Sequence, residues 1–398
     1  MGYADAYPGG YSAAGGDPIL AAYIETTAGV WYDISDRVLS GSIRRGRQDQ
    51  LDQYEAGTCD LTLANKDRMF DPNYAASPLN GHILPMKRVK LEGTWGGLTY
   101  GLFYGYVDRW VQNRGELRWA TTSVQATDGF KILERAALRM DVDAELSGSR
   151  VDTVLDEIGW ADDAGIDAGD TSLQAMTDVR MSALDHLQTV AQTEFGNLFV
   201  MADGMLRFLS RHASINQAPS EAFSDAAGTD LPIVSSNPEL SDEQIRNDVT
   251  ISREGGTEQH AEDATSIATY GISSFELDGL YHTDDSYSQQ MADFIVQSFK
   301  DPVERVESMT INPYADEGLW PAALGLELTN RVTLEETPSL VAPAVTRTLV
   351  VEGISHTFAG KQWETSFNLS ENAVATLAYW ELGEAGYSEL GQTTRLFF

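Results

Sequence analysis

The chain has 398 residues, more than one hydrophobic core usually organises, so two to four domains are expected. Apolar residues make up 42% and aromatics 10%, enough to build cores and too much for a disordered chain. The 27 basic residues face 60 acidic ones, and a net charge of −33 excludes a protein that grips nucleic-acid phosphates through a basic face.

That surplus is unevenly placed. Residues 1–131 carry a net charge of −2 and residues 132–398 one of −31, an asymmetry expected when different parts of a molecule face different surroundings. A uniformly acidic composition of the halophilic kind would have acidified the first part as well. The single cysteine, Cys59, excludes an intrachain disulfide, a multi-cysteine zinc cluster and a redox pair, and reads as a buried thiol. No run approaches 18 apolar residues, and the start MGYADAYPGGYSAAGG lacks the basic and apolar regions of a signal peptide, so neither membrane insertion nor secretion by a Sec route is expected.

From Pro18 the pattern is short strands. ILAAYIET and WYDISDRVLSGSIRRGR read as strand, turn and strand, and in CDLTLAN the residues Cys59, Leu61 and Leu63 alternate with Asp60 and Thr62, the period of a half-buried strand. After turns at Asp71-Pro72 and Ser77-Pro78 come KRVKLEGTW, GLTYGLFYGYVDRWVQ and LRWATTSVQATDG, all of strand composition. Six or more closely spaced strands imply a small antiparallel barrel or sandwich.

The period then changes. DGFKILERAAL reads as helical, and Val151, Val154, Leu155 and Ile158 give SRVDTVLDEIGW one apolar face, with Ser149 as its cap and Gly159 as its stop. Met181, Leu184, Leu187 and Val190 predict a second helix stopped at Gly196, and NLFVMADGMLRFLSR reads as a hairpin turning at Ala202-Asp203-Gly204. Residues 216–242 are rich in Ser, Ala, Asp and Pro and read as a linker or loop. IRNDVTISR resumes strand pattern, a helix is predicted at about 286–300 before Asp301-Pro302, and RVESMTIN, LTNRVTLEE and TRTLVVEGISHTFAGKQWETSFNLS return to strands. In the last of these, Trp363 and Phe367 are expected on one buried face.

Enzymatic signatures fail: there is no HExxH, GxSxG, GK[ST] phosphate loop or CxxC. The six histidines (His82, His186, His212, His260, His282, His356) are scattered singly, so no metal site can be assembled from the sequence. Asp141, Asp143 and Glu145 in DVDAELSG resemble part of a calcium loop but lack its third acidic position and glycine. No catalytic, cofactor-binding or metal residue is assigned. The one local basic feature is Arg44, Arg45 and Arg47, whose guanidinium forks suit docking against an acidic neighbour such as another subunit; the alternative is three exposed arginines at a strand end.

The run DISDRVLSGSIRRGRQDQLDQYEAGTCDLTLANKDRMFDP, followed by SPLNGHILPMKRVKLEGTW and LFYGYVDRW, resembles the start of the minor tail proteins of long-tailed actinobacterial phages, which are tail-tip (baseplate) hub proteins. SGSRVDTVLDEIGW, SALDHLQTVAQTEFGNLFVMADGMLRFLSR, IRNDVTISREGG with TSIATYG, and LVVEGISHTFAGKQWETSFNLS follow in that family's order, so the resemblance covers about residues 20–375. It implies a β-rich α+β fold: two small β-barrels of the phage tail-hub type with an inserted α+β region, assembling as a trimeric ring. The segments expected are a flexible N-terminal arm at 1–17, a first β-barrel hub domain at 18–131, an inserted α+β domain at 132–215, a linker at 216–242, a second β-barrel region with its helix at 243–375, and a C-terminal extension at 376–398.

The resemblance also implies a structural virion protein at the tail tip, made in the host bacterial cytoplasm, with no enzymatic activity and no cofactor. Its implied partners are two further copies in a homotrimer, the distal tail protein or tail tube, the tape measure protein, and tip or fibre proteins, while genomic DNA passes through the lumen without specific binding. An acidic bore would keep DNA mobile. The alternatives are a receptor- or carbohydrate-binding tip protein, for which Trp160, Trp320 and Trp380 would be exposed loop aromatics, and a cell-wall hydrolase. The arm and the C-terminal extension fall outside the resemblance.

Overall fold

The computed structural model describes residues 18–115, 119–213, 218–226, 230–337 and 343–371. The N-terminal arm and the C-terminal extension, with Trp380, lie outside the described residues.

Period-two patterning produces the first third of the molecule. In Glu55–Ala64, Cys59, Leu61 and Leu63 are buried while Asp60 is exposed, and burial pushes the Cys59 thiol pKa up. Seven strands pair antiparallel in the order Val30–Asp33, Ile19–Thr27, Arg88–Trp95, Leu98–Asn113, Thr121–Thr127, Glu55–Ala64, Val38–Gly46. Their inward side chains, among them Ile24, Leu91, Phe103 and Val124, form one core.

The second set of strands belongs to the same sheet. One 15-residue strand, Val345–Ala359, links them: along one edge its first part pairs with Arg331–Glu336, and from Gly353 onward the same edge pairs with Val38–Gly46. Its other edge pairs with Gln362–Glu371, which in turn pairs with Arg305–Ile311. The stretch 216–242, expected as a linker, contributes strands instead. Glu221–Ser224 lies parallel to Arg331–Glu336, Leu231–Pro232 lies parallel to Glu221–Ser224, and Ser235–Glu239 runs antiparallel to Arg305–Ile311. Residues 231–239 thereby carry the chain from the Glu221–Ser224 edge of the second set to its Arg305–Ile311 edge. Its Ser and Pro content suits edge strands and short pairings, which is why composition alone reads as loop.

Trp363 and Phe367 do share a face, alternating with more exposed neighbours, but they enter different cores. Phe367 joins Val351 and Ile354 in the core of the second set, whereas Trp363 stacks on Phe358 and meets Trp320 in the core of the first. Trp320 arrives on the helix Trp320–Gly325, which packs on the first set of strands; a Cβ at Gly93 would stand only 2.8 Å from Leu324 there.

The helical insert packs on the second set. Ser147–Ile158 ends at Gly159 in the left-handed conformation, as predicted, although Ser149 lies inside the helix and makes no cap. Ala183–Glu194 is capped by the Ser182 hydroxyl and stops at Phe195, itself left-handed at φ 54°, one residue before the predicted Gly196. Leu187 and Phe208 of the insert share a core with Phe367. The predicted 286–300 helix is Asp285–Phe299, but it does not cover the second set of strands. It backs a separate sheet in which Asp248–Arg253 lies between Gln259–Glu262 and Ser274–Leu280, with Val249, Ile251, Met291 and Ile295 between the layers.

Trp363→Ala removes a side chain that is 5% exposed and seated between Phe358 and Trp320, so it should cost about 3–5 kcal/mol, read from the urea midpoint. An unchanged midpoint would contradict the shared core.

Candidate functional site

The arginine cluster lies where the two sets of strands meet. Val38–Gly46 runs beside the linking strand, and alternation turns Arg45 inward and Arg44 outward. Arg45 donates to Glu327 at 2.6 Å, and the other Glu327 oxygen accepts the backbone N–H of Ala202, which ties in the insert hairpin. Arg47 donates to Glu352 at 2.7 Å and to the carbonyl of Asp52, and its guanidinium lies 4.4 Å over the Tyr54 ring. Glu352 also accepts from the Tyr54 and Ser370 hydroxyls. Burial disfavours the Arg47 charge, but Glu352 together with Tyr54 and Asp52 more than offsets this, and the Arg47 pKa is raised.

Two of the three expected subunit-contact residues are therefore committed inside the chain: Arg45 is 4% exposed and Arg47 is 9% exposed. Arg44 alone keeps an exposed guanidinium, 3.7 Å from Glu55. The reason is the strand period, which the spacing Arg44, Arg45, Arg47 carries but which could not say which side is covered.

Beside this junction a cleft of about 100 Å3 opens where the main sheet, the helical insert and the separate sheet meet. Arg47, Tyr54 and Glu352 line its polar side; Leu51, Phe195, Phe275 and Leu277 line its apolar side.

The other sequence candidates scatter. Trp320, expected on an exposed loop, is 1% exposed and belongs to the first core. Trp160 is half-buried against the insert core, and Trp119 is the exposed tryptophan among the described residues. The carboxylates of DVDAELSG do not converge: Glu145 pairs with buried Arg150, and Asp141 accepts the backbone N–H of Asp178. His186, His282 and His356 are core residues. Burial, aided by nearby arginines, holds their pKa values down to about 4, about 4 and about 3. Asp128, buried beneath the N–H groups of Gly57 and Phe130, is pushed the other way to about 7 by desolvation.

Among the described residues, one group of potential metal ligands joins residues that the sequence left apart. Asp248, His260 and Glu262 each offer a ligand atom within 4.8 Å of the others. The signal present in the sequence was His260-x-Glu262, two residues apart and so on one face of a strand; the Asp248 register was not legible.

No protein-family model matches the chain, and no curated protein matches it. Solved structures do. The tail protein from Neisseria meningitidis MC58 superposes with a TM-score of 0.61 at 10% identity, over 90% of this chain and 97% of that one. The 43 kDa tail protein of prophage MuSo2 from Shewanella oneidensis gives 0.59 at 13% identity, over 90% and 99%. The chain has a tail-protein fold. At such identity the likeness is one of backbone arrangement, and it extends over nine-tenths of the chain.

Arg47→Met strands the Glu352 carboxylate in the junction and should cost about 3–5 kcal/mol, and adding Glu352→Gln should recover at least about 1 kcal/mol of it. Urea unfolding of the two single variants and the double variant checks this; strictly additive losses would mean that the pair is not coupled. For His356, the folded pKa lies below the unfolded value near 6.5, so its contribution is complete above pH 6.5 and is lost as pH falls toward 3. His356→Gln should flatten the stability slope in that window by up to about 1.4 kcal/mol per pH unit, and an identical slope in variant and parent would refute the assignment.

Proposed function

We propose that the protein is a structural component of a phage tail, of the baseplate-hub type, placed at the tail tip. The observation that carries this reading is the end-to-end likeness to two tail proteins, each almost wholly covered. In this reading three copies form a ring of paired β-barrels that links the tail tube or distal tail protein to tip or fibre proteins. The tape measure and then DNA pass through its bore, and the protein works by assembly, without catalysis. The actinobacterial-phage resemblance supports the same role.

The charge distribution agrees physically. A wall that gripped phosphate would stall a duplex carrying one negative charge per roughly 1.7 Å, while an acidic wall leaves it mobile. The 31-charge surplus after residue 131 is assigned to surfaces that face the bore, and Arg44, the exposed member of the arginine cluster, to a contact with a neighbouring copy.

The purified chain should have three times the 43.6 kDa mass of one copy in light scattering, and ring-shaped particles should be seen by electron microscopy. A monomer in solution, absent from the tail axis of virions, would sink the hub reading. Clearing of host cell wall in a zymogram would instead favour a hydrolase.

A further inference from the structure

We propose that the outer face of the three-stranded sheet binds one divalent transition-metal ion, of Zn2+ chemistry, between Asp248, His260 and Glu262. The register places the donors. Glu262 stands directly across from Asp248, and His260, two residues before Glu262, shares its face. An imidazole nitrogen and two carboxylate oxygens lie within 4.8 Å of one another, with the His260 Nε2 already 2.7 Å from Asp248 Oδ1. Ligands bound to zinc at about 2.0–2.1 Å stand roughly 3.3 Å apart, so small side-chain rotations bring the three into a coordination sphere whose remaining positions water fills.

The frame under these side chains is rigid. Asp248 lies on the central strand, whose alternate residues Val249 and Ile251 are fully buried against the helix Asp285–Phe299. The second Asp248 oxygen, Oδ2, accepts the Ser274 hydroxyl from the neighbouring strand, which orients the carboxylate from behind as the outer partners of metal ligands do. The surroundings attract cations: residues 248–300 contain ten Asp and Glu against one Arg and one Lys. The imidazole decides the class of ion. Calcium and magnesium prefer all-oxygen shells, whereas one nitrogen with two carboxylates suits zinc and its neighbours in the first transition row. Binding replaces the proton between His260 Nε2 and Asp248 Oδ1; a protonated imidazole releases it to solvent, and a neutral one carries its proton on Nδ1 instead. The ion would clamp Asp248–Arg253 to Gln259–Glu262 across the hairpin.

The test uses the full chain, untagged and freed of metal by chelator, in calorimetric titration with Zn2+ and in thermal melting. The expected result is one saturable site and a higher melting temperature with Zn2+. His260→Ala and Asp248→Asn should each weaken binding at least tenfold, Glu276→Gln, a nearby carboxylate outside the trio, should leave it unchanged, and excess Ca2+ should not compete. The three positions are on the sheet's solvent side, so circular dichroism should report the variants as folded. The absence of a saturable site in the parent, binding in His260→Ala within twofold of the parent, or displacement by Ca2+ would each overturn the proposal. The outcome does not depend on whether the chain forms a trimer.

Discussion

The structure depends on one strand being shared. Val345–Ala359 pairs along a single edge first with Arg331–Glu336 and then with Val38–Gly46, so strands from the two ends of the described chain become one hydrogen-bonded sheet. At the changeover the backbones come so close that only glycine fits. Gly46 has φ +102°, and a Cβ on it would stand 2.2 Å from the Glu352 carbonyl. The Arg47–Glu352 pair seals this place, with Tyr54, Ser370 and the Asp52 carbonyl satisfying the polar atoms that remain. A buried ion pair adds little net stability, because desolvation consumes most of its attraction. Its effect is selectivity: an alignment that kept Arg47 or Glu352 buried without the other would leave an unpaired charge inside.

Apolar packing repeats the connection. Trp320 and Leu324 come from a helix between strands of the second set yet fill the core of the first, and Trp363 and Phe367 on one strand supply both cores. With side chains crossing in this way, neither half keeps a complete core without the other. Arg45 adds a third tie, reaching through Glu327 to the turn of the insert hairpin.

Around this frame the separate sheet of residues 248–280 is held differently. Its core is small, contains Leu51 and Phe195 from the neighbouring layers at its border, and leaves an acidic outer face to solvent. The cleft beside the Arg47 junction lies where this layer meets the insert and the main sheet. Asp248, His260 and Glu262 gather on the outer face of this layer, while Arg45 and Arg47 of the main sheet are paired internally.

Much of the secondary structure was legible because it follows local periods. The Cys59 strand, the helix stop at Gly159 and the helix Asp285–Phe299 all follow from alternation, a left-handed glycine or an amphipathic stripe. The sequence also contained the composition against a phosphate-gripping surface, the inward face shared by Trp363 and Phe367, and the ordered motifs that resemble a tail hub. The places it misled were those where a distant partner decides. Residues 221–239 look like a loop until Arg331–Glu336 and Arg305–Ile311 lie beside them, Trp320 looks like a loop aromatic until the first core closes over it, and Arg45 and Arg47 look like a docking patch until Glu327 and Glu352 arrive. Asp248 and Glu262 are likewise 14 positions apart until strand register sets them face to face. Local period and composition are properties of neighbouring residues and can be read from the chain itself; burial, charge pairing and register are contacts between remote residues, and only the folded arrangement decides them.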